Sequence, residues 1–470
     1  MRQIFKNILE TIEPIDLREK VGHKAELKDE QLKDSHYLIS IVEEMVEKAQ
    51  NLGLDLCTRN GFIYLFNSQY WEQVHELEMK IFLREVSLKM AIDRYKAIHY
   101  AFNDVLLKQF YASLGKLVYD ADQHIKINLQ NGTFLFGDKR ELRDFNKEDF
   151  LTYLLEFPYD EAATAPMFET YLNKVLPDIS CQNILAEYLG YVFTKGHKQQ
   201  KCLLLYGSGS NGKSVFFDIV KALIGSKNLS TWSLRNLGDE NCRALISNKL
   251  LNYSSEMDAQ INKETFKQLV SGEPLQARLK YKDSFTIENY AKLMFNCNEL
   301  PKDVEFNNAY FRRFIIVPFT ETIPEAEQDK DLANKIIAKE LSGIFNWILT
   351  GLVRLINQGK FSESEIADNA LKEFQQDADS VYQFLNAYNY KKNDAAKTRF
   401  MQLYHEYQEF CKNNGYRSLN TGNFRRRLEA LNIYIKRVQN GNIVGLDAPE
   451  RPVIMNKEEV EDVEDEKLPF

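Results

Sequence analysis

The chain has 470 residues, 44% of them hydrophobic and 27% charged, with a formal net charge of −8 at pH 7. This length and balance predict a soluble protein of several globular domains and exclude collagen-like or extensively disordered architectures. Six cysteines stand singly without a CxxC pair, which argues against a zinc site. No apolar run reaches the roughly 18 residues of a membrane span, and no signal-peptide pattern opens the chain. A cytoplasmic protein without a membrane partner is therefore expected.

The predicted elements, taken in chain order, divide the sequence into six segments. Apolar residues at helical spacing dominate the first segment, which also holds two hairpin signals, of which Asn131-Gly132 is the stronger. The segments are a mostly helical N-terminal assembly or collar region with hairpins (1–145), a helical region (146–200), an α/β core with a helical lid (201–360), a helical connector (361–396), a helix–helix–hairpin module (397–448) and an acidic tail (449–470).

A glycine-rich loop follows the first strand of the α/β core, in CLLLYGSGSNGKSVFFDIVKALIG. It matches G-x-x-x-x-G-K-[ST] throughout and lies between a strand and a helix, as the motif requires. Backbone N–H groups of such a loop and the helix N-terminus bind phosphates. The loop therefore predicts ATP as ligand, with Lys213 reaching the β- and γ-phosphates and Ser214 holding Mg²⁺. The predicted phosphate site comprises Gly207, Ser208, Gly209, Ser210, Asn211, Gly212, Lys213 and Ser214.

Polar residues stand beside the other core strands. Glu256, in LLNYSSEMD, is a candidate for the acid near the attacking water, or is an acid at a helix N-terminus. Asn298, in KLMFNCNELP, suits an amide that senses the γ-phosphate, or a turn residue before Pro301. Arg312 and Arg313 precede the strand FIIVPF, and either could be an arginine finger that enters the ATP site of a neighbouring subunit. The alternative is a surface ion pair.

A basic stretch lies between the acid and the amide, in SGEPLQARLKYKDSFTIENY. The alternation of Arg278, Lys280 and Lys282 predicts that all three side chains point to one side of a strand. A hairpin with such a stripe suits a loop that grips nucleic-acid phosphates. The alternative is a solvated edge strand that its lysines protect from unwanted pairing.

The order and spacing of these parts resemble the superfamily 3 helicases, and most of all the phage, plasmid and poxvirus-type primase-helicases. The resemblance is specific over about residues 150–319 and weaker over 397–446. It implies a multidomain protein with an α/β P-loop AAA+ (superfamily 3) ATPase core, a mostly helical N-terminal region and a C-terminal winged helix. It also implies a ring, usually a hexamer, with ATP between subunits and a basic hairpin that tracks single-stranded DNA in the 3′→5′ direction.

The resemblance assigns a role to each candidate residue. Lys213 and Ser214 would bind ATP and Mg²⁺, Glu256 would be the Walker B acid and Asn298 the sensor, Arg312 or Arg313 would act in trans, and Lys280 and Lys282 would contact DNA. Many relatives carry a second acid at the position of Ser255. Without that acid, two roles stay open for Glu256: a ligand of Mg²⁺, or a residue that acts mainly on the attacking water. Asp120 and Asp122 are not expected to form a primase site, because only about 150 residues precede the helicase-like region.

The C-terminal region combines a basic module with an acidic tail. Residues 391–440 contain 11 Lys and Arg against 4 Asp and Glu, whereas residues 447–470 contain 3 against 9. A helix opened by three arginines and followed by a basic hairpin predicts a reader of duplex or forked DNA, with protein binding as the alternative. The end of the tail is similar to the C-terminal tip of bacterial single-stranded-DNA-binding proteins, which implies docking of host replication proteins. The residues concerned are Arg425, Arg426, Arg427, Lys436 and Arg437 for DNA, and Leu468, Pro469 and Phe470 for the partner.

These features predict an ATP-dependent replicative DNA helicase of a phage or other mobile genetic element. Its expected partners are single-stranded and forked DNA and further copies of the chain in a ring. Two alternatives remain open, namely a ring ATPase that loads or remodels replication proteins, and an origin-binding initiator in which ATP only sets assembly. Remodelling should survive neutralisation of Lys280 and Lys282, and slow hydrolysis that DNA does not stimulate would favour the initiator.

Overall fold

The chain divides into two compact units. The first comprises Met1–Glu299 and Arg312–Asp368, and the second comprises Leu300–Phe311 and Asn369–Phe470. Separate hydrophobic cores lie within each unit. The computed structural model describes residues 2–20, 32–59, 61–114, 124–137, 140–196, 198–255, 257, 263–280, 283–300, 308–439 and 441–447. The six boundaries expected from the sequence stay predictions.

Helices open the first unit and confirm the helical N-terminal region. They are α1 (Gln3–Thr11), α2 (Leu17–Lys20), α3 (Asp34–Asn51), α4 (Glu76–Lys89), α5 (Arg94–Ile98) and α6 (Tyr100–Ser113). Buried residues of α3 recur every three or four positions, the period that places them on one helix face: Leu38, Ile41, Val42, Met45 and Ala49. This face joins a core in which Phe5 of α1 stacks on Phe82 of α4, with ring centroids 4.2 Å apart.

Two three-stranded antiparallel sheets contain the predicted hairpins. Their strands are β1 (Asp55–Arg59), β2 (Phe62–Phe66), β3 (Trp71–Val74), β4 (Ile125–Leu129), β5 (Gly132–Phe136) and β6 (Arg140–Arg143). Both hairpins are confirmed, since β2 pairs with β3 and Leu129 lies opposite Gly132 across a tight turn. The strands β1 and β6 extend the two hairpins and were not predicted. Ile127 and Phe134 of the second sheet enter the main core of the unit.

A group of long helices covers the central sheet of this unit. It contains α7 (Pro166–Val175), α8 (Ile179–Val192) and α13 (Leu332–Gln358), the last lying in the segment 201–360 for which a helical lid was predicted. The backbones of α8 and α13 come close, because a Cβ on Gly351 would lie 2.3 Å from the Ala186 carbonyl carbon. By length and composition α13 could cross a membrane, and 50% of its most apolar window is buried inside the protein.

A five-stranded parallel sheet forms the centre of the first unit. Its strands are β7 (Cys202–Tyr206), β8 (Leu229–Ser230), β9 (Leu251–Ser254), β12 (Lys292–Cys297) and β13 (Phe314–Pro318), in the spatial order β13-β7-β12-β9-β8. The buried apolar runs of β12 and β13 are typical of parallel strands with both faces covered. Helix α9 (Lys213–Ile224) follows β7, as predicted, and Gly225 caps its C-terminus. The four predicted core strands are confirmed, and the short β8 is added at one edge.

A hairpin stands in the chain between β9 and β12, as predicted. The segment contains α10 (Glu240–Ala244), α11 (Lys263–Ser271), β10 (Leu275–Arg278) and β11 (Ser284–Ile287). Strand β10 ends at Arg278, which lies opposite Ser284, so the predicted stripe of three basic residues on one strand is wrong. The chain reverses between these two residues, and exposed Lys280 therefore lies in the turn rather than on the strand. Lys282 lies outside the described residues.

The second unit is built from helices and two small sheets. Its elements are α12 (Asn308–Phe311), most of α14 (Glu365–Ala378), α15 (Ser380–Ala387), β14 (Lys391–Lys392), β15 (Thr398–Arg399), α16 (Phe400–Asn413), α17 (Thr421–Ala430), β16 (Ile435–Val438), β17 (Gly441–Val444) and β18 (Leu446–Asp447). The predicted order of helix, helix and hairpin is confirmed. Strand β15 pairs with β17, so the hairpin becomes a three-stranded sheet of order β15-β17-β16. Tyr407 of α16 stacks on Phe424 of α17, with ring centroids 4.5 Å apart.

Candidate functional site

The carboxyl ends of the parallel strands meet at one edge of the central sheet, which is where ligands bind in open α/β sheets. Strand β12 lies between β7 and β9. The glycine-rich loop leaves β7, Asn298 follows β12, and Ser255 follows β9. The fold therefore brings the loop, the exposed amide and the end of the acid-bearing strand to the same edge. Glu256 itself, the predicted acid and Mg²⁺ ligand, lies outside the described residues.

The loop is packed so tightly that two of its positions require glycine. A Cβ on Gly207 would lie 2.2 Å from Asn211 Nδ2 and 2.4 Å from the Phe319 carbonyl oxygen. Gly212 has a φ of +83° at the start of α9, and a Cβ there would lie 2.6 Å from Val175 Cγ1. A side chain at either position would displace backbone or core atoms, so the shape of the loop depends on both glycines.

Lys213 is the first residue of α9 and its side chain is buried. Its Nζ donates a hydrogen bond to the carbonyl oxygen of Gly207. Burial lowers the pKa of the Lys213 amine from its usual value. A lysine amine has three donors, and within the described part of the chain no carboxylate forms an ion pair with this one. The site thus holds a desolvated cation that a phosphate would stabilise.

Backbone groups at and after the end of β13 hold the loop. Asn211 is 3% exposed, and its Nδ2 donates to the Phe319 carbonyl oxygen at 3.1 Å. The Ile323 N–H donates to the Ser210 carbonyl oxygen at 2.9 Å. Exposed Ser214 stands in the first turn of α9, where a hydroxyl can face a bound phosphate and its cation. The loop is therefore preorganised by its surroundings, with Ser214 open to solvent.

Tyr171 of α7 is a positioning residue that the sequence did not reveal. Its buried hydroxyl donates to the Gly212 carbonyl oxygen at 2.8 Å across a separation of 41 residues. Burial raises the pKa of this phenol, so it stays a proton donor. Tyr171 fits the apolar periodicity of a core helix, and nothing in that pattern marks its hydroxyl. The contact ties α7 to the N-terminus of α9.

The two candidate finger residues lie at the opposite edge of the sheet, just before β13. Arg313 is 8% exposed, and its guanidinium donates to Ser271 Oγ at 2.9 Å. Arg312 is exposed, and its carbonyl oxygen accepts a hydrogen bond from Lys201 Nζ at 2.6 Å. The five residues of β13 span roughly 16 Å. Both arginines are thus far from the loop of their own chain, and the exposed Arg312 is the one open to another molecule.

The basic residues of the second unit occupy a helix and a strand. Helix α17 begins at Thr421, with Asn420 as its cap, so the arginines stand in the middle of the helix rather than opening it as predicted. The capping amide fixes the start, because Asn420 Oδ1 accepts from the Asn423 N–H at 2.8 Å. Lys436 and Arg437 are exposed on β16, where the sequence placed them.

The three arginines of α17 differ in their contacts. Arg425 pairs with Glu429 at 3.0 Å one turn later. Arg426 is exposed. The guanidinium of Arg427 donates to Asp379 Oδ2, with Nε at 2.7 Å, and the Asp379 side chain is only 3% exposed. Arg426 is therefore open to solvent, whereas Arg427 is held in an internal ion pair.

Family models match three parts of the chain. Residues 41–177 match the model described as "D5 N terminal like" and residues 376–462 match "Poxvirus D5 protein-like". Two separate parts of the chain are thus similar to poxvirus D5 proteins. Residues 205–313 of this D5-like chain, which include the glycine-rich loop and both finger candidates, match a "Family of unknown function (DUF5906)". The expected poxvirus-type resemblance is confirmed.

The D5-like chain is similar to curated viral proteins. It is 26% identical over 263 residues to "Putative helicase 121R" of Invertebrate iridescent virus 3, covering 48% of this chain and 28% of that protein. It is 22% identical over 228 residues to "Putative helicase L207/L206" of Acanthamoeba polyphaga mimivirus, covering 45% and 24%. The D5-like chain thus matches about a quarter of the length of these relatives.

The fold of the D5-like chain is similar to that of a solved structure. The A form apo structure of the NrS-1 C-terminal region aligns with a TM-score of 0.50 and 12% sequence identity. The alignment covers 85% of this chain and 98% of that one. At this identity the likeness concerns architecture, and it supports a multidomain α/β arrangement.

The Arg427–Asp379 pair predicts a difference between neighbouring arginines of the D5-like chain. Arg427→Ala leaves the buried Asp379 carboxylate without its guanidinium, which should cost about 3 kcal/mol of unfolding free energy. Arg426→Ala removes an exposed side chain and should change stability by less than about 0.5 kcal/mol. Thermal or denaturant unfolding of the two variants measures the difference. Equal stability of both variants would show that the pair contributes nothing.

Proposed function

We propose that this chain is an ATP-driven DNA helicase that serves viral or mobile-element replication. The observation that carries the proposal is the preorganised glycine-rich loop with buried Lys213, at the sheet edge shared with Asn298. The matches to the two D5 models and the helicase names of the viral relatives support it. The parallel order β13-β7-β12-β9-β8 supports an α/β P-loop AAA+ core of superfamily 3. The topology of the second unit supports a winged helix.

The loop residues fit ATP with Mg²⁺. The backbone N–H groups of Gly207–Ser214 and the N-terminus of α9 would surround the phosphates, and Lys213 would pair with the β- and γ-phosphates. The exposed hydroxyl of Ser214 would hold Mg²⁺, with Glu256 as second ligand or as the group that orients the attacking water. Mg²⁺ supplies charge neutralisation between the phosphate oxygens when it is bound. Asn298 would hydrogen-bond the γ-phosphate or the water.

A ring, with a hexamer expected, would complete the site. Arg312 is exposed at the sheet edge opposite the loop, so it suits a finger that enters the site of the neighbouring subunit. Arg313, buried and bonded to Ser271, would support the segment that presents it. Hydrolysis would then depend on contact between subunits, which is how a ring couples its chemistry to movement.

DNA contacts would come from two places. Lys280 is exposed in the turn of the β10–β11 hairpin, between the strands that carry the acid and the sensor, and would grip a single strand together with Arg278 and Lys282. Arg425, Arg426, Lys436 and Arg437 would contact forked DNA from the second unit, with Arg427 supporting the helix. The terminal Leu468–Phe470, outside the described residues, keeps its proposed role of docking host replication proteins.

Stimulation of ATP hydrolysis by single-stranded DNA tests this function. We expect wild-type protein to be stimulated, and Lys280→Ala/Lys282→Ala to keep its basal rate but lose most of the stimulation, because phosphate contacts dominate affinity. The salt dependence of DNA binding should also become shallower.

Lys339→Ala is the matched control for that experiment, since Lys339 is an exposed lysine on α13. Its stimulation should equal that of wild type. A basal rate that DNA leaves unchanged in wild type would contradict the helicase and favour the initiator. Full stimulation in the double variant would show that the hairpin does not contribute to DNA binding. It would favour a ring ATPase that loads or remodels replication proteins.

A further inference from the structure

A cavity lies at the amino-terminal edge of the central sheet, opposite the edge with the glycine-rich loop. Its volume is about 330 Å³, within the range of sites that enclose small organic ligands. Its walls include Arg59 of β1, the segment 148–153, the residues after α8, and the residues that lead into β9 and β12. All of these belong to the first unit.

The lining of this cavity is predominantly basic. The basic residues are Arg59, Lys126, Lys195, Lys249 and Lys292, against the acids Glu148 and Asp149. Asp149 is already paired, with Lys126 Nζ at 2.7 Å and Arg143 Nη2 at 2.6 Å. The lining thus carries more basic than acidic side chains, which favours an anionic ligand.

Lys292 is the most unusual of these residues. It is 5% exposed, its Nζ donates to the Thr194 carbonyl oxygen at 2.8 Å, and it lies 4.9 Å from the Tyr191 ring centroid. Within the described ranges no carboxylate forms an ion pair with Lys292. Burial lowers the pKa of its amine to about 7. An anion in the cavity would supply the countercharge that the protein does not.

The lining also includes flat groups. Phe150 has φ +45° and ψ +46°, a left-handed conformation that is strained for an aromatic residue. Its ring is wedged against Tyr64 and Trp71, each with ring centroids 5.3 Å away, and the Arg59 guanidinium lies 5.1 Å from its centroid. Strained residues of this kind cluster at ligand sites. Aromatic rings and guanidinium planes are the surfaces on which nucleobases stack.

We propose that this cavity binds a nucleoside phosphate, with the phosphate at Lys292 and the base against the wall formed by Phe150 and Arg59. It is a second nucleotide site, separate from the glycine-rich loop. A smaller cavity shares Arg59 and Asn248 and reaches Phe285 of β11 in the basic hairpin. The ligand is thus a free nucleotide or one nucleotide of a single strand that passes the hairpin.

The test uses the full chain carrying Lys213→Ala, which weakens nucleotide binding at the loop and keeps the result independent of ATP hydrolysis. Calorimetry would measure binding of deoxyadenosine monophosphate and of a deoxyadenylate strand of about ten nucleotides. We expect Lys292→Met to weaken binding at least tenfold through loss of a charge-assisted contact. Lys339→Ala, at an exposed lysine of α13, should bind like the parent. If Lys292→Met binds the mononucleotide more weakly than the parent does, the ligand is a free nucleotide. If Lys292→Met binds only the deoxyadenylate strand more weakly, the ligand is a nucleotide of a single strand.

A second variant covers the case in which Lys292→Met does not fold. Phe150→Leu keeps an apolar side chain and removes the flat ring, and it should also weaken binding several-fold, by the loss of a stacking contact. The proposal is overturned if folded Lys292→Met and Phe150→Leu bind both probes as tightly as the parent. Lys292 would then serve only to satisfy the carbonyl after α8.

Discussion

Lys213→Ala is expected to lower the rate of ATP hydrolysis by about 10²–10³-fold, the loss typical when one preorganised donor to the reacting group is removed. In the structure the Lys213 amine is buried, held by the Gly207 carbonyl and lowered in pKa by desolvation. The charged Lys213 amine is therefore shielded from solvent, and a bound anion would stabilise it. Steady-state phosphate release measures the rate, and nucleotide binding should weaken in the same variant.

Lys221→Ala is the matched control for Lys213→Ala. Lys221 stands on the same helix, α9, but is exposed. It should hydrolyse ATP at the wild-type rate. Both variants should retain wild-type unfolding temperatures within a few degrees, since Lys213 has no ion-pair partner in the described residues. Wild-type hydrolysis by Lys213→Ala would show that the glycine-rich loop does not bind the reacting phosphate.

Arg312→Ala is expected to lower ATP hydrolysis by about 10³-fold or more, the usual contribution of an arginine finger, while nucleotide binding stays near that of wild type. The reason is the exposure of Arg312 at the sheet edge opposite the loop. Arg313→Ala should instead lower stability, because Arg313 is buried and bonded to Ser271. Rates, binding and unfolding temperatures of the two variants separate these roles.

Mixing experiments decide whether Arg312 acts between subunits. Arg312→Ala and Lys213→Ala protomers are each expected to be inactive alone. In a mixed ring, some interfaces combine an intact Lys213 with an intact Arg312 of the neighbour, so the mixture should recover part of the lost hydrolysis. Absence of any recovery in rings shown to contain both protomers would contradict a finger in trans.

Local patterns were sufficient to predict most elements of this fold. The apolar runs of β7, β9, β12 and β13 and the Asn131-Gly132 turn each depend on neighbours in sequence, and all were confirmed. The short strands β8 and β15 have two residues each, too few to show a period. Lys280 was misplaced because alternation of basic residues continues in sequence after the strand has ended at Arg278.

The roles of individual side chains depended on contacts that sequence patterns do not encode. Arg312 and Arg313 are adjacent in sequence, yet one is exposed and the other buried. Arg427 meets Asp379 across 48 residues, and Tyr171 meets Gly212 across 41. Such pairs are created by the packing of helices and strands, so the sequence predicted the glycine-rich loop but neither its support nor the cavity at Lys292.

Strand separation on a forked DNA duplex is the decisive measurement for a helicase. We expect wild-type protein to separate the strands in the presence of ATP and Mg²⁺, and Lys213→Ala, at equal DNA occupancy, to leave them paired. We expect Lys280→Ala/Lys282→Ala to hydrolyse ATP without separating strands. The protein is not an ATP-driven helicase if the wild type hydrolyses ATP but leaves the fork intact, or separates it equally well without ATP.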